Sequence, residues 1–150
     1  MTDPPRAGAG HLRPAASDQT DLLVAWWRAF EIEARVARAG TDVVAVVERR
    51  VRKHRFWVWD DDAGRPVAMV AANPAVAGVV RLGPVYTPPQ HRRRGYAGAA
   101  VAAVSRQALQ DGALRCTLFT DPANPTSNKI YAEVGYERLA DWEEHEFTPR

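Results

Sequence analysis

Two clusters of residues in the C-terminal half of the chain have types and spacings suited to chemistry. The first is the basic loop His91-Arg92-Arg93-Arg94-Gly95-Tyr96-Ala97-Gly98, which runs into a long small-residue segment. A helix N-terminus presents unpaired backbone N–H groups at the positive end of its dipole, so it is a ready anion site. Gly95 permits backbone angles and a close approach that a side chain would forbid. The arginines add charge and forked donors that suit phosphate oxygens. The plain alternative is a solvated Arg-rich turn. The second cluster runs from Asn124 through Ser127 and Tyr131 to Gly135-Tyr136. Asn124 suits a helix N-cap, Pro125 the first helical position and Gly135 the residue past the end. Asn124, Ser127 and Tyr131 then share one face, and Ile130 and Val134 form an apolar face beside it. A tyrosine so placed can be a proton donor, since a reference pKa of about 10 keeps it protonated at neutral pH. It can equally be a half-buried packing residue.

The elements that position these clusters read clearly. Val79, Val80 and Leu82 belong to a strand that Thr87-Pro88-Pro89 stops. Ala97, Val101, Val104 and Ala108 repeat on one helical face after the loop, and Gly112 suits the residue beyond its end. Arg115 to Thr120 is a strand of good β-formers, so the central unit is strand–helix–strand with locally parallel pairing. Pro84 in the first strand demands a bulge or an edge, because proline cannot donate to a ladder.

On these residues the chain resembles the GNAT superfamily of N-acetyltransferases. That family's acetyl-CoA loop runs Gln/Arg-x-x-Gly-x-Gly/Ala, and Arg92 to Ala97 fits every position. Its downstream pattern Asn-x-x-Ser/Ala-x-x-x-Tyr-x-x-x-Gly-Phe/Tyr is matched throughout from Asn124 to Tyr136. The two motifs cover the C-terminal half. The resemblance implies an α/β (α+β) domain with a mixed, mostly antiparallel twisted sheet, about four flanking helices and a splayed central strand. It implies acetyl-CoA as acyl donor, held by the main chain of Val85, Tyr86 and Thr87, by Arg92, Arg93, Arg94, Gly95, Tyr96, Ala97 and Gly98, and by Asn124 and Ser127. Tyr131 becomes the general acid to the coenzyme A thiolate, and the acceptor a primary amine attacking directly. No metal is implied. Many relatives use a glutamate near the central strand as base, but Arg81 to Thr87 holds no carboxylate. Glu31, Glu33, Asp60 and Glu146 can act through water, with nothing to rank them. The other function that the same fold supports is a non-catalytic acyl-CoA-binding or sensing module.

Ahead of this half, Met1 to Gly10 reads as a flexible segment and residues 11–150 as one domain. His11 to Pro14 suits a short strand. Ser17, Asp18 and Thr20 offer N-caps for a helix expected to reach about Ala39, with an apolar stripe of Leu22, Leu23, Trp26, Ala29, Phe30 and Val36. Trp26, Trp27, Glu31 and Glu33 of that helix are the expected acceptor-site wall. Thr41-Asp42 caps a second helix whose valines at 44, 47 and 51 outweigh valine's strand preference. The cations from Arg49 to Arg55 at its end read as a solvated face. Phe56-Trp57-Val58-Trp59 and Val67 to Ala72 form a hairpin, with Asp60-Asp61-Asp62 in a solvated tip. Tyr136 to Phe147 supplies one or two closing strands.

Composition narrows the class. In 150 residues, 46% are hydrophobic and 25% charged, ordinary for a globular domain. A net charge of only +2 makes the basicity local, which argues against a nucleic-acid binder. Cys116 is the lone cysteine, expected in the core, so no intrachain disulfide or cysteine-based zinc cluster can form. No apolar run of membrane-spanning length and no signal core appear, which gives the expectation of a cytoplasmic protein. Nothing in the sequence decides for or against a homodimer.

Overall fold

The computed structural model describes residues 9–35, 40–119, 125–138 and 144–147. Among the described residues, seven strands form one sheet in the order β1-β2-β3-β4-β5-β7-β6. They are β1 His11–Pro14, β2 Phe56–Asp60, β3 Pro66–Ala72, β4 Val79–Tyr86, β5 Arg115–Phe119, β6 Tyr136–Arg138 and β7 Glu144–Phe147. Four helices flank it: α1 Thr20–Ala34, α2 Val43–Arg52, α3 Tyr96–Gln110 and α4 Pro125–Val134. The sheet is mixed and mostly antiparallel. Only β4 and β5 run parallel, joined by the α3 crossover.

Alternation along the strands divides the core in two. Phe56 and Val58 of β2, with Met69 and Ala71 of β3, pack under Leu23, Val24, Val47 and Val51 of α1 and α2. Trp57 and Trp59, with Val70, Leu82, Cys116 and Leu118, pack under Val101 and Val104 of α3. Cys116 is fully buried and its pKa is pushed up to about 11 by that burial, as suits a core thiol.

Local chemistry explains most boundaries. The Asp42 carboxylate accepts the Ala45 N–H at 3.1 Å and starts α2. The expected strand–helix ambiguity there resolves to helix, because Val43, Val47 and Val51 are all buried on one face. α1 ends at Ala34, short of the expected Ala39. Arg35 is left-handed with φ 56° and its N–H bonds to the Ile32 carbonyl, which terminates the helix without glycine. Val36 and the rest of residues 36–39 lie outside the described residues. Most of the N-terminal segment expected to be flexible lies outside them too.

The aspartate run is only partly the solvated tip expected. Asp60 is buried in β2 at an irregularity in the β2–β3 register, where Arg13 of β1 grips both its oxygens. Asp61 instead closes the turn, accepting the N–H groups of Ala63 and Arg65 at 2.9 Å each. No helix among the described residues is long and apolar enough to cross a membrane.

Candidate functional site

The site is built at the point where β4 leaves β5. Their parallel pairing runs from Val79 opposite Arg115 to Leu82 opposite Leu118, and there it stops. On its other side β4 stays with β3, as Val85 opposes Val70 and Tyr86 opposes Met69, with a register shift between Val70 and Ala72. The extra residue of that bulge falls at Gly83-Pro84. The Gly83–Pro84 peptide is cis, and Gly83 has φ +145°, a conformation that side chains resist. Beyond Leu82, then, β4 has no strand partner on the β5 side among the described residues. The Thr87 hydroxyl at the end of this edge is buried without a hydrogen-bond partner. A free backbone edge with an orphaned hydroxyl suits an extended ligand that pairs as a strand would.

The bulge is held from outside by a residue the sequence assigned to a solvated face. Arg50 of α2 is half-buried; its Nη1 donates to the Gly83 carbonyl at 2.9 Å and its Nη2 to Asn73 Oδ1 at 2.5 Å. The guanidinium also lies 5.2 Å from the Trp27 ring centroid. Burial, then the neighbouring charges of Arg49 and Arg55, lowers its pKa. A signal was present in the sequence: Arg50 lies three residues after Val47 and seven after Val43, on the helix face that packs inward.

From Thr87 the chain turns through Pro89–His91 into the basic loop. Arg93 and Gly95 are both left-handed, with φ 67° and 78°, a backbone that turns successive N–H groups toward one concavity. α3 begins at Tyr96, and its first backbone bond closes from Ala99 N–H to the Gly95 carbonyl at 3.0 Å. The N–H groups of Tyr96, Ala97 and Gly98 thus come before the helical ladder and face outward along the axis. Arg93 and Arg94 are exposed beside them. The Tyr96 side chain is buried in the core, so only its main chain faces the loop. Gly98 is buried against α4, and a Cβ there would meet Ile130 at 3.4 Å. Its lack of a side chain lets α4 approach α3.

Arg92 behaves differently from its neighbours. Its Nε donates to the Thr87 carbonyl at 2.9 Å, and its Nη2 pairs with Glu33 Oε2 of α1 at 2.6 Å. The same guanidinium sits 5.8 Å from the Tyr86 ring centroid, and Tyr86 meets Trp26 of α1 at 6.4 Å. Burial chiefly, with the Glu33 charge, raises the Tyr86 pKa. Trp26 and Glu33 therefore meet the end of β4. Trp27 packs instead on Phe56, 6.3 Å between centroids, under Arg50. Glu31 is half-buried on the same helix.

Tyr131 of α4 is half-buried against the α3-side core, edge-on to Tyr136 at 6.3 Å. Burial pushes its pKa up to about 12. Tyr136 shares a 2.7 Å hydrogen bond with Ser105, whereas no described residue hydrogen-bonds the Tyr131 hydroxyl. Asn124 lies outside the described residues, and of Ser127 only its backbone place in α4 is described. Among the carboxylates considered as base, Asp60 is committed to Arg13 and Glu33 to Arg92. Glu146 pairs by register with Thr117 and Glu137. Two clefts among the described residues lie elsewhere, one of about 450 Å³ at the C-terminal end of α3 and one of about 460 Å³ between the start of α1 and the end of α2.

Comparison with known proteins agrees with this geometry. Three solved structures share the fold over nearly the whole chain. The PaiA N-acetyltransferase from Thermoplasma acidophilum, in complex with coenzyme A, superposes with a TM-score of 0.71 at 11% identity, covering 93% of this chain and 98% of that one. A GNAT family acetyltransferase from Brucella melitensis, in complex with acetyl-CoA, gives 0.64 at 19% identity, covering 95% and 90%. A GNAT superfamily phosphinothricin acetyltransferase from Sinorhizobium meliloti, in complex with acetyl-CoA, gives 0.70 at 15% identity, covering 92% and 85%. No curated protein sequence matches the chain. The sequence profile of the acetyltransferase (GNAT) family matches residues 20–136, from the first turn of α1 to the start of β6. The chain belongs to the acetyltransferase (GNAT) family.

Proposed function

We propose that the protein transfers an acetyl group from acetyl-CoA to a primary amine of a small molecule or protein by direct attack. The observation that carries this reading is the release of β4 from β5 beyond Leu82, directly ahead of a left-handed basic loop that opens α3. The pantetheine arm lies along the main chain of Val85, Tyr86 and Thr87, which completes the free edge. Its diphosphate lies in the Arg92–Ala97 loop, over the N–H groups of Tyr96, Ala97 and Gly98, with charge from Arg93 and Arg94. Ser127 in the first turn of α4, with Asn124 just before it in sequence, completes the cofactor side.

Acetyl-CoA, when bound, supplies a polarisable thioester carbonyl and a good thiol leaving group. The chain's residues do the rest. A main-chain N–H near Val85 holds the charge that develops on the carbonyl oxygen, a contribution typically worth about 3 kcal/mol. Arg50 fixes the bulge that aims this N–H, since it grips the Gly83 carbonyl two residues earlier. Tyr131 donates its hydroxyl proton toward the departing sulfur as general acid. Its burial keeps it protonated throughout the working pH range. The proton that the sulfur takes up is balanced by the one the amine nitrogen loses. A lysine-like amine costs roughly 4.6 kcal/mol to deprotonate at pH 7, so a weakly basic or locally neutralised acceptor reacts fastest. Trp26, Glu31 and Glu33 of α1 form the acceptor wall, and Trp27 backs it from its seat on Phe56.

Calorimetric titration with acetyl-CoA tests the reading, repeated on Arg94→Ala and Gly95→Val. One-to-one binding that both changes weaken supports it, and thiol release with a panel of amines then identifies the acceptor. A folded wild-type protein that gives no heat with acetyl-CoA sinks it.

A further inference from the structure

The three arginines of the loop do not share one role. Arg93 and Arg94 are exposed beside the N-terminus of α3. Arg92 turns back: one nitrogen meets the Thr87 carbonyl at 2.9 Å, another meets Glu33 of α1 at 2.6 Å, and the plane faces Tyr86. Tyr86 in turn touches Trp26, about two helical turns before Glu33. The C-terminal half of α1 is thus joined to the β4 end and to the phosphate loop by one side chain. Trp27, Ala29 and Phe30 hold the inner face of that half on the core, and its outer face and last turn are what the Arg92 contact reaches. Ile32 is 75% exposed, Glu33 is exposed, and the helix stops two residues later at a left-handed Arg35.

We propose that Arg92 is a positioning residue, the latch that ties α1 to the phosphate loop, and that a diphosphate seated on Arg93–Gly95 thereby fixes the acceptor-side wall. The inference rests on the acetyl-CoA reading for the identity of the loop's ligand. The latch leaves Glu33 unavailable as a general base while it is closed, because its carboxylate already accepts from Arg92.

The test is backbone hydrogen exchange across α1, with and without saturating coenzyme A, on wild type, Glu33→Gln and Arg92→Gln. Calorimetry on the same proteins and on Arg94→Ala accompanies it. Without ligand, both latch variants exchange about threefold to fivefold faster in the last two turns of α1, as suits an exposed ion pair. Coenzyme A slows exchange there in wild type, and the slowing disappears in Glu33→Gln although that variant still binds the ligand. A residue that merely filled space would not uncouple ligand from helix in this way. Equal protection of α1 by coenzyme A in wild type and Glu33→Gln overturns the latch. So does a loss of affinity in Arg92→Gln as large as that in Arg94→Ala with α1 exchange unchanged. No heat with the wild-type protein overturns the acetyl-CoA reading instead, and faster α1 exchange in the unliganded variants still judges the ion pair by itself.

Discussion

Replacing Arg50 with leucine strips the β4 bulge of its external support. The Gly83 carbonyl loses its 2.9 Å donor, Asn73 Oδ1 loses its 2.5 Å donor, and Trp27 loses the cation over its ring. Hydrogen bonds from a charged donor contribute about 1.5–3 kcal/mol each, and a partly exposed site belongs at the low end. The cation–π contact adds about 0.5–1 kcal/mol. Against these stands the relief of desolvating a guanidinium close to Arg49 and Arg55, the same effects that lower its pKa. The net loss is about 2–3 kcal/mol, or roughly 5–10 °C in Tm for a chain of this size. Urea denaturation followed by Trp fluorescence measures it, with Arg49→Leu as control because Arg49 is exposed on the same helix. The control shifts stability by less than about 0.5 kcal/mol. Equal effects from the two substitutions would refute the argument that Arg50 is structural. The variant that remains folded also binds acetyl-CoA more weakly, since the free edge starts at the bulge.

Arg93→Gly removes a side chain from a left-handed position, φ 67°, so stability stays level or rises by up to about 1 kcal/mol while acetyl-CoA affinity falls severalfold with the lost charge; a destabilised protein contradicts this. Tyr131→Phe lowers the rate of thiol release by about 10²–10⁴ with an accepted amine and leaves the acetyl-CoA Kd nearly unchanged. A rate within twofold of wild type removes Tyr131 from the chemistry. The stability–pH profile falls at its alkaline end with Tyr136, whose buried phenol is raised furthest, and with two groups that titrate before it: Cys116, raised from 9.0 to about 11, and Tyr131, raised from 10.0 to about 12. All three pKa values are higher in the folded chain, so the unfolded chain releases its protons first as pH rises. The stability they contribute is complete below about pH 9 and is lost progressively up to and beyond about pH 12. Urea midpoints across this range measure it, and Cys116→Ala flattens the fall between about pH 9 and 11. A midpoint that does not move between about pH 8 and 12 contradicts it.

Most of the fold was legible because its signals are local. The hairpin from Phe56 to Ala72 follows from alternation and a turn, and α2 from Val47 and Val51 at helical spacing with Asp42 as cap, although Val43 is buried where Val44 was expected and Val44 is 40% exposed. The core of the site was legible for the same reason. Gly95 and the small residues after it announce a helix N-terminus approached closely, and Pro84 announces an irregular strand. What local windows did not supply is where α1 stops, since Arg35 adopts the left-handed cap with no glycine to mark it. Tyr96 and Gly98 illustrate a second limit. A motif assigns whole residues to a ligand, whereas the structure turns the Tyr96 ring into the core and sets Gly98 against α4. In both, only the main chain faces outward.

Three polar residues have partners that local windows did not supply. Asp60 was taken for a solvated tip and Arg50 for a solvated face, and Arg92 was read only toward a phosphate. Each is held by a partner 47, 33 or 59 residues away: Arg13, the Gly83 carbonyl and Glu33. Charged residues carry no periodic signal that separates a solvated head from one folded back on the chain, because their stems cross apolar surface in either case. The register of the sheet decides. β1 beside β2 brings Arg13 to Asp60, and the bulge in β4 presents the Gly83 carbonyl to α2. The end of β4 brings Thr87 and Arg92 beneath α1. Two of these three pairs converge on β4, from α2 at the bulge and from α1 at the loop that follows it. The strand beyond Leu82 is therefore held by Arg50 at its bulge and by Arg92 at its end, where it has no strand partner on the β5 side among the described residues.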